Sequence, residues 1–380
     1  MTTTSTESTE GLQTATILNP FDGHVHWRQL WNSDGAHGLL PRVIRATERL
    51  FAGALPMPNL RYRPGVTVND KPEGIVDGVE LAAYQGDIEQ HLFRPDTFCH
   101  WVLKLVSGYT TPAIVRDAMK VGARGFKLYP FSEKHGGTTN IASGVNLAKL
   151  KELYPVFAEM QKLELTLHIH GMDPDAEPLY GEEAFLPLYK QLCRDFPKLV
   201  IVFEHVTTEQ GVKAVLEMHG RGYPTYATVT VHHLYQTHAD YMGAKFRPWE
   251  YSLPPARFVA DRAALRGAVV NHPHIFYFGS DSAPHEEGNK HCCSGAPGVY
   301  SAPHALEHIV QFFDEAGALE WLQVFVSDTA FRVLRLNEIA QRDRLVTLVK
   351  RPHVIPETDP QAPGIRLFRR GETCAWQIQE

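Results

Sequence analysis

The residues with the plainest chemical potential in this 380-residue chain are histidines set two apart. In Asp22-Gly23-His24-Val25-His26 the spacing puts both imidazoles on one face of an extended strand. Side-by-side imidazoles can chelate a metal, or they can be two ordinary histidines on a half-exposed strand, and the pair alone leaves both readings open. Later segments favour metal. Leu-Thr-Leu-His168-Ile-His170 repeats the spacing, Phe203-Glu204-His205 closes an apolar run with histidine, and Gly279-Ser280-Asp281 closes another with an acid. Gly125-Phe126-Lys127-Leu128-Tyr129-Pro130 holds a lysine inside a short apolar strand, where an ammonium is costly to bury. Four histidines (His24, His26, His170, His205), an aspartate and an inward lysine exceed what one tetrahedral zinc takes and suit two ions. An ammonium among cations is repelled, so Lys127 must be neutralised, pair elsewhere or become an anion. Carboxylation by carbon dioxide would give a carbamate able to bridge two ions.

These residues need elements that bring them together. Apolar periodicity predicts strands at 16–27, 51–59, 98–106, 125–130, 163–171, 199–205, 226–233 and 275–281. Helices are predicted between them, at 39–50, 75–92, 111–121, 145–162, 182–196, 208–219 and 254–270. The third opens on Thr111-Pro112, an N-cap followed by proline at the first helical position. About eight strand-helix units with buried, near-continuous apolar strands predict an α/β fold with a parallel sheet, closed as a (β/α)8 TIM barrel. A doubly wound open sheet is the alternative. A barrel opens all its strand C-termini on one face, so His24, His26, Lys127, His170, His205 and Asp281 converge there; an open sheet would leave half of them at its edges.

Composition narrows the function classes. A net charge of -6 without a run of Lys and Arg argues against a nucleic-acid partner. No stretch approaches the ~20 apolar residues of a membrane span, which argues against a membrane partner. Five cysteines, of which only Cys292-Cys293 are close, point away from a disulfide framework and toward a reducing, cytoplasmic compartment. That pair is read as reduced thiols rather than a third metal site. Residues 1–14, rich in Thr, Ser and Glu, are expected to be a disordered tail, and 15–380 a single barrel catalytic domain.

Taken in order, His24-Val25-His26, Gly125-Phe126-Lys127-Leu128-Tyr129-Pro130, His170-Gly171, Phe203-Glu204-His205-Val206-Thr207-Thr208 and Gly279-Ser280-Asp281-Ser282-Ala283-Pro284-His285 resemble the amidohydrolase superfamily. Within it the chain is similar to the dihydroorotases of the single-enzyme bacterial type, from about residue 16 to 334. The combination of motifs is specific where each His-x-His is not. The resemblance implies that His24, His26 and Asp281 hold one zinc, His170 and His205 a second, and carboxylated Lys127 bridges them. It implies that Asp281 accepts the proton of a water activated by zinc and delivers it to the departing ring nitrogen, in reversible hydrolysis of dihydroorotate to N-carbamoyl-aspartate, a step of pyrimidine synthesis.

For the substrate, the resemblance implies a carboxylate grip by Arg28, with Asn59 and His285 as its partners, and contacts from Leu234 and Pro297. Thr138 and Thr139 match a pair on a loop that closes over the substrate. A homodimer is the expected assembly. Charge counting agrees with an anionic substrate: two zinc ions bring four positive charges, and the carbamate, Asp281 and a hydroxide remove three. Residues 131–137 make a longer loop than the family pattern, and Pro297 stands where a small residue is expected. His168, one layer deeper than His170, is read as a hydrogen-bonded core histidine, and Glu204 as a supporting or packing residue beside His205. His233 either lines the site or packs beneath it. A hydantoinase-like cyclic-amide hydrolase, sharing the metals but not the carboxylate clamp, is the nearest rival, and a barrel without catalysis serving as a scaffold is another.

Overall fold

Asn19, with φ +48°, and Pro20 split what hydropathy reads as one opening strand. Thr14–Leu18 turns away and pairs antiparallel with Leu345–Val349, which pairs in turn with Gln377–Ile378, forming a small sheet outside the barrel wall. The structure, a computed structural model, describes residues 12–28, 38–60, 71–137, 143–293, 295–340 and 343–379. The tail expected over 1–14 lies outside the described residues up to residue 11, and Thr14 already belongs to a strand.

The barrel starts at β1 (Phe21–Val25), which runs parallel to β2 (Gly53–Pro56). Next comes β3, as Phe98–Cys99 against β2 and, beyond His100, as Trp101–Lys104 against β4 (Ala123–Leu128). The His100 N–H donates to the Ala54 carbonyl (3.0 Å), carrying the pairing across that break. β5 (Thr166–His170), β6 (Val200–Glu204), β7 (Thr225–Val229) and β8 (Phe276–Phe278) follow in parallel. The ring closes where the Asp281 N–H donates to the His24 carbonyl (2.8 Å) and the His26 N–H to the Ser282 carbonyl (3.1 Å). This is a (β/α)8 barrel, and those two hydrogen bonds are what an open sheet would lack.

Helices α1 (Leu40–Leu50), α2 (Gly78–Glu89), α3 (Pro112–Lys120), α4 (Tyr154–Lys162), α5 (Gly181–Asp195), α6 (Glu209–Gly220) and α7 (Val259–Asn271) cover the strands. α8 (Ala305–Glu315) follows, and a π-helical turn, Val324–Asp328, packs on both β8 and β1 before α9 (Thr329–Val333). Thr111 Oγ1 accepts from the Ile114 N–H (3.3 Å), making the expected cap of α3, and Thr208 caps α6 in the same way. With helices outside and side chains filling the inside, β5 is buried at all five positions.

Three local expectations change. The run 226–233 stops being a strand at Val229, because Thr230 Oγ1 accepts from the His233 N–H (3.1 Å) and caps a short helix, Val231–Tyr235. Helix 254–270 begins only at Val259, with extended backbone at Phe258. The 131–137 segment, expected as a loop, is a hairpin, with Phe131 opposite Gly137 and Ser132 opposite Gly136.

Candidate active site

His24 and His26 leave β1 on the same face, as their spacing requires, and their Nε2 atoms converge on one oxygen, Oδ1 of Asp281, at 3.3 and 3.0 Å. Asp281 lies three residues past β8 with φ +44°, a left-handed conformation that a non-glycine residue adopts at a cost. Its N–H bond to His24 and the hydrogen bonds of Ser280 hold that turn: Ser280 donates its N–H and Oγ–H to the two oxygens of buried Asp22, at 2.8 and 2.6 Å. Burial outweighs these donors and pushes the Asp22 carboxyl up to about 6.

His205 is turned by the same device. On β6 Glu204 points into the barrel, so strict alternation would send His205 outward. His205 instead has φ +41°, fixed by its N–H donating to Thr228 Oγ1 (2.7 Å), and both neighbours face the interior. Its Nε2 lies 3.2 Å from Nδ1 of His170, and the rings of His26, His24, His205 and His170 succeed one another at centroid distances of 5.4, 5.0 and 4.7 Å.

Lys127 comes up from β4 beneath them, fully buried, and its Nζ has no hydrogen-bond partner among the described residues. Burial, opposed by the Glu204 and Asp281 carboxylates, draws its pKa down to about 8. Burial also holds His170 and His205 well below the usual imidazole range, with Lys127 adding to it, so both rings are neutral, as metal ligands must be. Asp281 stays ionised, because hydrogen bonds from His24 and His26 outweigh its burial.

Glu204 organises this layer. Wholly buried, it accepts from His24 Nδ1–H (2.9 Å), His168 Nδ1–H (2.5 Å) and Thr228 Oγ1–H (2.6 Å). The first bond commits His24 Nδ1–H to Glu204, so that a metal would be taken at Nε2, the atom that here contacts Asp281. Burial would raise the Glu204 pKa, but Lys127 and His24 hold it well below the usual carboxylate range. His168 is thus a core histidine serving Glu204. Strand alternation would have flagged Glu204 and Asp22 as inward carboxylates; nothing in the local sequence marks Thr228 or Tyr129, whose ring lies 5.4 Å from Lys127 Nζ.

Over the ligands opens a small cavity, lined also by Arg28, Asn59, Tyr129, Leu253, Ala283 and Pro297. His285 stands against Arg28: its Nε2 contacts Arg28 Nη1, and the same ring nitrogen lies 3.0 Å from the Pro297 carbonyl oxygen. Asn59 Oδ1 is buried there without a hydrogen-bond partner among the described residues. Leu234 is not brought to the cavity; it is fully buried on the helix Val231–Tyr235. His233 packs away from the mouth too, its Nε2–H donating to the Pro254 carbonyl (3.1 Å). Thr138 and Thr139 lie outside the described residues.

The donor set fits the binding of divalent metal. His24, His26 and Asp281 offer three ligand atoms within 4.8 Å of one another, two neutral imidazoles meet beside them, and the buried Lys127 amine, without a partner among the described residues, is near enough to act with burial in lowering the pKa of His170 and His205. A barrel carrying such ligands at its C-terminal mouth defines a metal-dependent hydrolase of the amidohydrolase type. No family model matches the chain. It is 34% identical over 373 residues to the dihydroorotase of Neisseria meningitidis, covering 97% of this chain and 100% of that protein. The solved structure of dihydroorotase in complex with 5-fluoroorotic acid from Saccharomyces cerevisiae matches with a TM-score of 0.82 at 32% identity, over 97% of this chain and 99% of that one. L-hydantoinase (dihydropyrimidinase) from Arthrobacter aurescens, at 14% identity and a TM-score of 0.75 over 96% of this chain and 82% of that one, shares the fold. The chain belongs to the dihydroorotase family.

Proposed function

We propose that this protein is a zinc-dependent dihydroorotase that opens dihydroorotate to N-carbamoyl-aspartate and closes it in reverse, in pyrimidine synthesis. The observation that carries the reading is that His24, His26, His170, His205, Asp281 and Arg28 line one cavity, with the unpartnered Lys127 amine buried near them. His24, His26 and Asp281 would hold one ion and His170 and His205 another, with Lys127 joining them as a carbamate. Ions so held lower the pKa of water to about 7 and polarise a carbonyl. The state of Lys127 supports its part: with the pKa drawn down to about 8, an appreciable share of its amine is neutral near pH 7 and can attack carbon dioxide, losing a proton as the N–C bond forms.

In the forward direction water adds to the ring amide carbon and the C–N bond breaks. Asp281, ionised and aimed into the cavity, takes the proton of the attacking water and gives it to the departing nitrogen. Glu204 keeps His24 in one tautomer throughout. Arg28 offers a planar, bidentate donor pair for the substrate carboxylate, with His285 behind it and the Asn59 amide alongside. Pro297 also lines the cavity, and its carbonyl lies 3.0 Å from His285 Nε2. The reading extends to a cytoplasmic homodimer; no helix among the described residues is long and apolar enough to cross a membrane.

Lys127→Ala tests it. The variant is expected to fold, to lose bridged metal and nearly all turnover, and to regain part of it with short carboxylic acids that replace the carbamate. Normal metal content and rate would refute the bridging role. Activity on uncharged cyclic amides equal to that on dihydroorotate would favour the hydantoinase-like reading, and a protein purified without metal would favour a scaffold.

A further inference from the structure

Among the described residues one other group has the geometry of the His24, His26 and Asp281 cluster: His304, Glu307 and His353, with ligand atoms all within 4.8 Å of one another. None of the three lines the catalytic cavity. His304 caps α8 and Glu307 follows one turn later, so their side chains are neighbours on one face. His353 arrives from a separate strand, His353–Val354, paired with Thr373–Cys374.

The arrangement resembles the catalytic one. There, two imidazole nitrogens converge on a single carboxylate oxygen; here His304 Nδ1 contacts Glu307 Oε2 within hydrogen-bond distance, and His353 Nε2 stands 3.4 Å from that same oxygen. Ligands ~2.1 Å from a tetrahedral ion lie about 3.4 Å apart. The other oxygen of Glu307 accepts from the Ile378 N–H (3.1 Å), which fixes the carboxylate as a metal site requires. Glu307 is 2% exposed, and neither ring nitrogen of His353 has a hydrogen-bond partner among the described residues. The rings are 14% and 22% exposed, which leaves a path for an ion and a position for water. His308, the next residue after Glu307, takes no part; its ring packs against Phe368 and Tyr235.

We infer that His304, Glu307 and His353 bind a further divalent ion of the zinc class, two imidazoles and one carboxylate with water in the fourth place. Such an ion ties the start of α8 to the strands at His353 and Ile378, so its effect is on the stability of the C-terminal β segments rather than on turnover.

The test uses the full-length protein reconstituted with zinc and freed of excess ion. Metal content is measured for the wild type, Glu307→Gln and His353→Asn, the latter at a partly exposed position and safer for folding. The expected result is one equivalent less zinc per chain in either variant, unchanged dihydroorotate hydrolysis, and loss of a zinc-dependent rise in thermal midpoint that the wild type shows. Because the readout is a difference between chains with the same catalytic centre, it holds whatever that centre contains. Equal zinc content in all three proteins overturns the inference.

Discussion

Glu204→Gln probes how the imidazole cluster is held, and its size can be worked from three contacts. The carboxylate accepts from His24 (2.9 Å), His168 (2.5 Å) and Thr228 (2.6 Å), with no exposure to water. Hydrogen bonds to a charged acceptor contribute roughly 1.5–3 kcal/mol each. Glutamine offers one carbonyl oxygen and sets its amide donors against at least one of the three. Against this loss stands the relief of no longer burying an anion, several kcal/mol. The difference is a destabilisation of about 2–4 kcal/mol. Metal binding should suffer separately, because His24 is no longer held in the tautomer that offers Nε2 to a metal; disturbing such a support costs roughly 10–100-fold in affinity. Urea denaturation of the metal-free protein reads the first effect, and competition with a chromogenic chelator reads the second. Thr228→Val removes one neutral donor to Glu204 and also the acceptor that holds the His205 N–H, so it should cost about 1–3 kcal/mol and weaken metal binding through His205 rather than His24. If Glu204→Gln bound metal as tightly as the wild type and melted at the same urea concentration, the carboxylate would be filling space, and His24 would hold its tautomer by some other means.

Arg28→Lys replaces a planar fork by a point charge, and kcat/KM for dihydroorotate should fall by roughly 10–100-fold while metal content stays normal; an unchanged KM would remove Arg28 from substrate binding. His308 is buried with both ring nitrogens unpartnered among the described residues, and burial draws its pKa down to about 3, so only the unfolded chain takes up its proton just below the ordinary value of 6.5. Its contribution to stability is therefore complete above pH 6.5 and is lost as pH falls from there toward about 3. His308→Met should flatten the acid side of a urea-midpoint profile by close to one proton, about 1.4 kcal/mol per pH unit, and parallel profiles would contradict this. Gly125→Ala would place a Cβ 2.2 Å from Thr166 Oγ1 and 2.6 Å from the Thr166 carbonyl oxygen, on the neighbouring strand. Backbone there cannot yield, so a loss of about 3 kcal/mol or more is expected, and a wild-type urea midpoint would show that the strands do separate.

Periodicity and composition sufficed for much of this protein, because they report properties that a short segment has by itself. Apolar runs closed by His, Lys or Asp mark strands buried on both faces, the caps at Thr111 and Thr208 are local, and the pairs His24-x-His26 and His168-x-His170 must share faces whatever surrounds them. Where a local cap or turn cuts into a continuous apolar run, periodicity overrides it, and where a residue is held by a bond from a distant strand, the sequence was silent. Thr230 turned an expected strand end into a helix and took His232 and His233 with it, and Leu234 went into the core rather than to the cavity. Asn19 and Pro20 cut the opening strand in two, sending Thr14–Leu18 to a partner more than 300 residues away. Most telling are His205 and Asp281, which reach the mouth only because each adopts a positive φ that its own residue type disfavours. The bonds that hold them there come from Thr228 on β7 and His24 on β1, strands that no local pattern around either residue contains.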